Sequence, residues 1–143
     1  MAAAFRADGL DPQAHLRLLP WLPRRQFAGF LDEMDVYLDC PGFSGYTTAW
    51  HAVHRGVPIV TVEGQFMRQR LAAGLLRQIG MTEGIAASCD DYVGIAVRSA
   101  EESRREAVRA ARREALRKAA SKADGNRSAV DAFAAMIKAR WPR

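Results

Sequence analysis

The sequence predicts an α/β fold, a Rossmann-like parallel sheet of about four strands flanked by helices, with a helical C-terminal tail. Three observations carry that expectation. Short apolar runs alternate with segments long enough for helices. The run Val36-Tyr37-Leu38-Asp39 leads into the glycine-rich Pro41-Gly42-Phe43-Ser44-Gly45-Tyr46-Thr47-Thr48, a helix-like segment ending near Arg55-Gly56, and the run Val57-Pro58-Ile59-Val60-Thr61-Val62, which together read as a βαβ unit. From about residue 89 onward, alanine and charged residues recur at helical spacing.

The elements follow in order. Asp8 to Pro12 reads as a loop, punctuated by Gly9 and Pro12. His15-Leu16-Arg17-Leu18-Leu19 alternates polar and apolar residues and predicts a short first strand. Pro20 and Pro23 then bracket Trp21-Leu22. Between Arg24 and Met34, the residues Phe27, Phe30, Leu31 and Met34 share one helical face. The next helix, within Phe66 to Ile79, aligns Leu71, Ala72, Leu75, Leu76 and Ile79, and Gly80 stands where a helix ends.

Ile85-Ala86-Ala87 predicts another short strand. Ser88 with Asp91 resembles a capping box and opens a long helix. Its expected apolar face is Val93, Ala96, Val97 and Ala100, continued by Ala107, Ala111 and Ala115 up to the break at Lys122–Asn126. A last helix, Ser128 to Arg140, is expected to bury Val130, Phe133, Ala134 and Ile137. Residues 1–143 read as a single lobe whose strand count is small, as in a truncated Rossmann-like domain.

Bulk properties narrow the class. A chain of 143 residues with 49% hydrophobic and 26% charged residues can close one core. No apolar run approaches the roughly 20 residues needed to span a bilayer, and the first residues lack signal-peptide architecture. The expectation is a soluble, cytoplasmic protein without a membrane partner. The two cysteines, Cys40 and Cys89, form no C-x-x-C and have no zinc spacing, so they read as free thiols. The net charge of +5 owes much to the arginines between Glu101 and Lys122. Glu101–Arg105 and Glu114–Lys118 have the spacing of a solvated ion-pair face. A basic helix can also hold nucleic acid, but no aromatic residue interleaves there for base stacking, and a nucleic-acid partner is not expected.

The chemistry concentrates at the glycine-rich turn. In a βαβ unit the helix after such a turn directs unpaired N–H groups at the C-terminal edge of the sheet, a setting that suits a phosphate. Thr47 and Thr48 add hydroxyl donors. The turn is neither a Walker loop, since no Gly-Lys-Ser/Thr follows, nor a G-x-G-x-x-G fingerprint. Pattern alone leaves two readings open, a phosphate site and a turn whose glycines serve close packing.

The order of segments is more specific. Leu22-Pro23-Arg24-Arg25-Gln26-Phe27, Asp35 to Asp39, Gly42 to Ala49, Gly56 to Thr61, Gly64 to Ala72 and Ile85-Ala86 follow one another with consistent spacing. This series resembles the C-terminal, donor-nucleotide-binding lobe of the O-GlcNAc transferase/SPINDLY family of glycosyltransferases, and is most similar to bacterial SPINDLY-like members. The resemblance runs from about Leu10 to Arg98 and loosely through the helical tail.

The resemblance implies a GT-B fold, two Rossmann-like lobes across a cleft, in which the C-terminal lobe holds a nucleotide sugar of the UDP-GlcNAc or GDP-fucose class. By the same resemblance Ser44, Gly45, Tyr46, Thr47 and Thr48 hold the diphosphate, and no metal or other cofactor is required. Leu22 through its backbone, Arg24 through its side chain and Phe27 as a stacking face frame the base. His51 falls where animal members carry an aspartate that contacts the ribose. Arg70 matches the arginine of a G-x-x-x-x-x-R pattern, as a cation for the diphosphate or as half of a structural ion pair.

No catalytic residue is identified within the chain. A protein acceptor is implied, together with an N-terminal lobe that the chain is expected to lack. A partner chain would supply that lobe, docking on a face with Trp21, Phe43 and Tyr46, and transfer by the chain alone would be weak. Two alternatives stand beside this reading: a degenerate, non-catalytic interaction module, and nucleic-acid binding through the basic helix.

Overall fold

The computed structural model describes residues 1–141, so the last two residues of the expected tail lie outside the described range. Eight α-helices and three strands follow in the order α1 (Ala2–Ala7), α2 (Pro12–His15), α3 (Arg24–Glu33), β1 (Tyr37–Leu38), α4 (Tyr46–His54), β2 (Ile59–Val62), α5 (Leu71–Ile79), β3 (Ile85–Ala86), α6 (Cys89–Ser103), α7 (Glu106–Ala120) and α8 (Ser128–Arg140). The strands form one parallel sheet in the order β1-β2-β3, with Tyr37 opposite Ile59 and Thr61 opposite Ile85. Parallel neighbours need a crossover, and α4 and α5 supply them.

The central strand is buried on both faces, which explains its unbroken apolar run. Ile59 joins a core with Leu31, Val53, Leu75, Leu76, Ile79 and Leu116, built from α3, α4, α5 and α7. Val60 faces the other way and packs with Ala86 and Ile95 under α6. Gly80 ends α5 in the left-handed conformation, as its position predicts. The Ser88 hydroxyl accepts the Asp91 N–H at 3.1 Å, while the Asp91 carboxylate accepts the Ala87 N–H at 2.9 Å, so the expected cap is present.

Four expectations are corrected. The sheet has three strands among the described residues, since the segment after His15 pairs with no strand. Pro20 and Pro23 bring no N–H to a ladder, and Leu18 and Leu19 stay open to solvent. The long helix is two helices, parted at Arg104–Arg105, where Arg105 is extended. One straight helix over those residues would run about 50 Å and leave the domain behind. The break folds α7 back onto α4.

The buried face of that region also differs. Ile95, Ser99 and Ser103 of α6, and Leu116, Ala119 and Ala120 of α7, face inward, while Val93 and Val97 are exposed. Serines fit this interior because the Ser103 hydroxyl donates to the Ser99 carbonyl at 2.9 Å. Finally, Phe133 of α8 is 59% exposed, and Val130 and Ile137 are also exposed. The apolar stripe of α8 is real, but no element among the described residues packs broadly against it.

The basic helix is fastened to its neighbours. Arg109 pairs with Asp35 at 3.2 Å, Arg112 with Glu102 at 2.8 Å, and Arg113 donates to the Met34 carbonyl. These contacts reach outside α7, unlike the i,i+4 ladder that the spacing suggested. Gly56, in the turn between α4 and β2, has φ +74°, and a Cβ there would lie 2.6 Å from the Arg113 carbonyl oxygen. The turn therefore seats directly on the α7 backbone. His54 is satisfied on its helix, with its ring nitrogens against the Trp50 carbonyl at 3.0 Å and the Asp124 carboxylate at 3.1 Å.

A further ion pair joins α3 to α4. Arg55 grips Asp32 with two hydrogen bonds, Nε donating to Oδ1 at 2.6 Å and Nη2 to Oδ2. The Arg55 guanidinium holds the Asp32 carboxyl below the usual carboxylate range, against the opposing effect of burial. A lowered native value contributes stability that is full above the ordinary aspartate pKa of about 3.9 and is lost as pH falls through the native value. Asp32→Asn is expected to be less stable than the parent near neutral pH, and the difference should close in urea melts repeated below about pH 3. In the same assay Leu76→Ala should lose about 2–5 kcal/mol, whereas Phe133→Ala should stay within about 0.5 kcal/mol.

Candidate functional site

The turn after β1 is held from below by side chains of the sheet. Asp39, only 1% exposed, ends that strand. Its Oδ1 accepts the Gly45 N–H at 3.0 Å, and its Oδ2 accepts the Thr61 hydroxyl at 2.8 Å. Its backbone N–H donates to Val60 at 2.9 Å, and its carbonyl accepts the Tyr92 hydroxyl at 3.0 Å. A side chain at Gly45 would crowd the Tyr37 hydroxyl, which would stand 3.0 Å from its Cβ. Gly64 is similarly closed by Gln69, while Gly42 has open space beside it. Burial, and then the Asp39 carboxylate, push the Tyr37 phenol up to about 12, so it keeps its proton and faces the Thr48 hydroxyl as a neutral partner.

Helix α4 begins immediately after Gly45, which offers no side-chain cap. The N–H groups of Tyr46, Thr47 and Thr48 have no acceptor among the described residues. These are the orphan donors of a helix start, concentrated at the positive end of its dipole. Thr47 carries an exposed hydroxyl beside them.

Ser44 is placed differently from the sequence expectation. It is 1% exposed, and its hydroxyl accepts the Ala72 N–H at 2.8 Å. It therefore caps α5 from a distance and faces away from the open side of the turn. Its own N–H donates to the Arg68 carbonyl at 2.7 Å, which ties the turn to the loop after β2.

A groove of about 610 Å³ runs from the N-terminus of α4 along α3 and the Arg17–Leu22 segment. Leu22, Arg24, Phe27, Thr47, Thr48 and His51 all line it, so the structure brings together six of the residues singled out by the sequence. Phe27 is half-buried and meets His51 edge-on, with ring centroids 6.4 Å apart. Arg17 and Arg24 add positive charge to the walls, and Trp21, 93% exposed, stands at the rim. The groove thus offers an aromatic and aliphatic slot at one end and a cluster of N–H and hydroxyl donors at the other. That combination suits a ligand with a flat, weakly polar part joined to an anionic part.

Arg70 lies apart from this groove. Its Nε donates to Glu63 Oε1 at 2.8 Å, and Arg77 holds the second oxygen of the same carboxylate. Together they border a separate surface depression with Met67, Leu71 and Gly74. Of the two roles offered by the sequence, Arg70 occupies that of the ion pair. Tyr46 is exposed beside the turn, with its ring tilted toward Trp50 at 6.0 Å. Cys40 and Cys89 are free and exposed.

Sequence reasoning passed over Asp39 and Tyr37 as functional residues. The available signal was an acid closing an apolar strand directly before a glycine-rich turn. No helix among the described residues is long and apolar enough to cross a membrane.

Comparison with known proteins bears on this arrangement. Residues 26–127 match the family model for glycosyl transferase family 41. The chain is 30% identical over 95 residues to a probable UDP-N-acetylglucosamine–peptide N-acetylglucosaminyltransferase SPINDLY of Petunia hybrida, a match covering 66% of this chain and 10% of that protein. It is 38% identical over 64 residues to the UDP-N-acetylglucosamine–peptide N-acetylglucosaminyltransferase of Caenorhabditis elegans, covering 45% of this chain and 6% of the relative. A solved structure of a mutant O-GlcNAc transferase from Thermobaculum terrenum superimposes with a TM-score of 0.78 at 30% identity, over 96% of this chain and 26% of that one. The chain therefore spans a small share of the proteins it matches. The chain belongs to glycosyl transferase family 41, within which it forms a Rossmann-like lobe of the GT-B fold.

Proposed function

We propose that this lobe binds the nucleotide-sugar donor of a protein O-glycosyltransferase. The observation that carries the reading is the uncapped start of α4, where the Tyr46, Thr47 and Thr48 N–H groups stand at one end of an aromatic-walled groove. A donor diphosphate fits those N–H groups, with the Thr47 hydroxyl adding a further hydrogen bond. The base lies between Leu22, Arg24 and Phe27, and the ribose reaches His51, whose imidazole can bond a hydroxyl. The relatives' names point to UDP-N-acetylglucosamine, and the UDP-GlcNAc or GDP-fucose class is the donor class proposed.

Transfer to a serine or threonine of a protein acceptor needs that hydroxyl in line with the anomeric carbon. In this reading the acceptor is positioned by a second lobe, from a longer chain or a partner chain, across a face with the exposed Trp21, Phe43 and Tyr46. The leaving diphosphate is stabilised by the α4 donors without a metal or other cofactor. Arg70 acts at a distance, by fixing Glu63 and the start of α5.

Titration of the purified chain with UDP and with GDP, followed by amide NMR shifts, tests the reading. Saturable shifts at Gly45 to Thr48 are expected with one of the two nucleotides. The Thr47→Ala, Thr48→Ala double variant should bind that nucleotide at least about tenfold more weakly with its fold intact. A folded protein that shows no shift with either nucleotide would instead be an interaction module of the family without a working donor site.

A further inference from the structure

We propose that Asp39 is the positioning residue of the donor site, pinning the first turn of α4 from behind so that its N–H groups stay free for the ligand. The inference rests on reading the start of α4 as the diphosphate site. A favoured helix start is a Ser, Thr, Asp or Asn whose side chain accepts the N–H of the second or third residue, as Ser88 does for α6. Such a cap would stiffen α4 by occupying the Thr47 or Thr48 N–H, the donors an anion needs. Here the capping position is Gly45, which can take neither.

The stiffening comes from six residues upstream. Asp39 Oδ1 takes the Gly45 N–H, a donor that points into the protein, and Oδ2 is held in turn by the Thr61 hydroxyl of the central strand. The Tyr37 hydroxyl closes the other side of Gly45. The turn is fixed to the sheet by groups that consume none of the outward-facing donors.

The carboxylate is an unusual choice for packing alone. Asp39 is 1% exposed, and no cation among the described ion pairs answers its charge. Burying an unpaired carboxylate is costly. What the carboxylate supplies is two acceptor oxygens at once, one for each anchor, beside the positive end of α4.

The test measures UDP and GDP affinity in the parent chain and in Asp39→Ala, Asp39→Asn, Thr61→Val and Leu116→Ala. Asp39→Ala should weaken binding about tenfold or more and remove the exchange protection of the Gly45 amide. Asp39→Asn keeps an oxygen for Gly45 and should restore affinity to within about threefold. Thr61→Val frees one anchor and should fall between the two. Leu116→Ala disturbs the core away from the groove and should leave affinity unchanged.

A folded Asp39→Ala with parental affinity would overturn the proposal, as would an equal loss in Leu116→Ala, which would mark a merely structural effect. If Asp39→Ala does not fold, parental affinity in Thr61→Val overturns it. A parent chain that binds neither nucleotide overturns the donor-site reading and this inference together, whereas a binding parent with an indifferent Asp39→Ala overturns the inference alone.

Discussion

The hydrogen bonds of the Asp39 carboxylate are the constraint on which the rest of the site depends. They join three pieces of backbone that are distant in sequence: the end of β1, the start of α4 and the middle of β2. The Tyr92 hydroxyl on the Asp39 carbonyl brings α6 to the same point. The central strand, α6 and the glycine-rich turn therefore all refer to one buried residue. Ser44 extends the arrangement by capping α5, so adjacent residues of one turn organise the starts of two helices. A family 41 lobe can then keep a short turn rigid while leaving its outer surface polar and unoccupied.

The groove is a product of how α3 is held against α4. Phe27 is anchored in the core and reaches His51, while the Asp32–Arg55 pair fixes the far end of the same two helices. The arginines of α7 act one layer further out, gripping Asp35 and the Met34 carbonyl, which lie just ahead of β1. Two of the basic residues of that helix, Arg109 and Arg113, are thus engaged in positioning the loop that enters the sheet. Through these contacts and the Arg112–Glu102 pair, the basic helix also serves as a structural buttress.

The strand–turn–helix–strand core was legible because its signals are local. Val36 to Asp39 and Val57 to Val62 are apolar runs with glycine punctuation, and Ser88–Asp91 is a cap readable at a distance of three residues. The groove residues were legible by another route, since Leu22, Arg24, Phe27, Thr47, Thr48 and His51 come from separate segments and only the resemblance joined them. What failed depended on tertiary partners. The alternation at His15–Leu19 needs a neighbouring strand, and among the described residues none pairs with it. The stripe on α8 needs an opposing surface. The break at Arg104–Arg105 carries no proline or glycine, and it follows from the need to fold α7 back over α4. Arg70 takes the ion-pair role that the sequence also offered, with Glu63 7 residues away, while the Ser44 hydroxyl is taken up by the Ala72 N–H, 28 residues away in sequence.

The all-parallel sheet has a kinetic consequence. Each strand pair is joined through a helix, so no hairpin can form early and serve as a nucleus. The Asp39 carboxylate meets Gly45 across 6 residues but Thr61 only across 22, after α4 has crossed over and β2 has docked. Such non-local closure is slow compared with helix formation. The turn therefore acquires its full set of anchors only once β2 has docked. A chain arrested with its helices formed and its sheet open would show nearly full helical content yet possess no recognition surface.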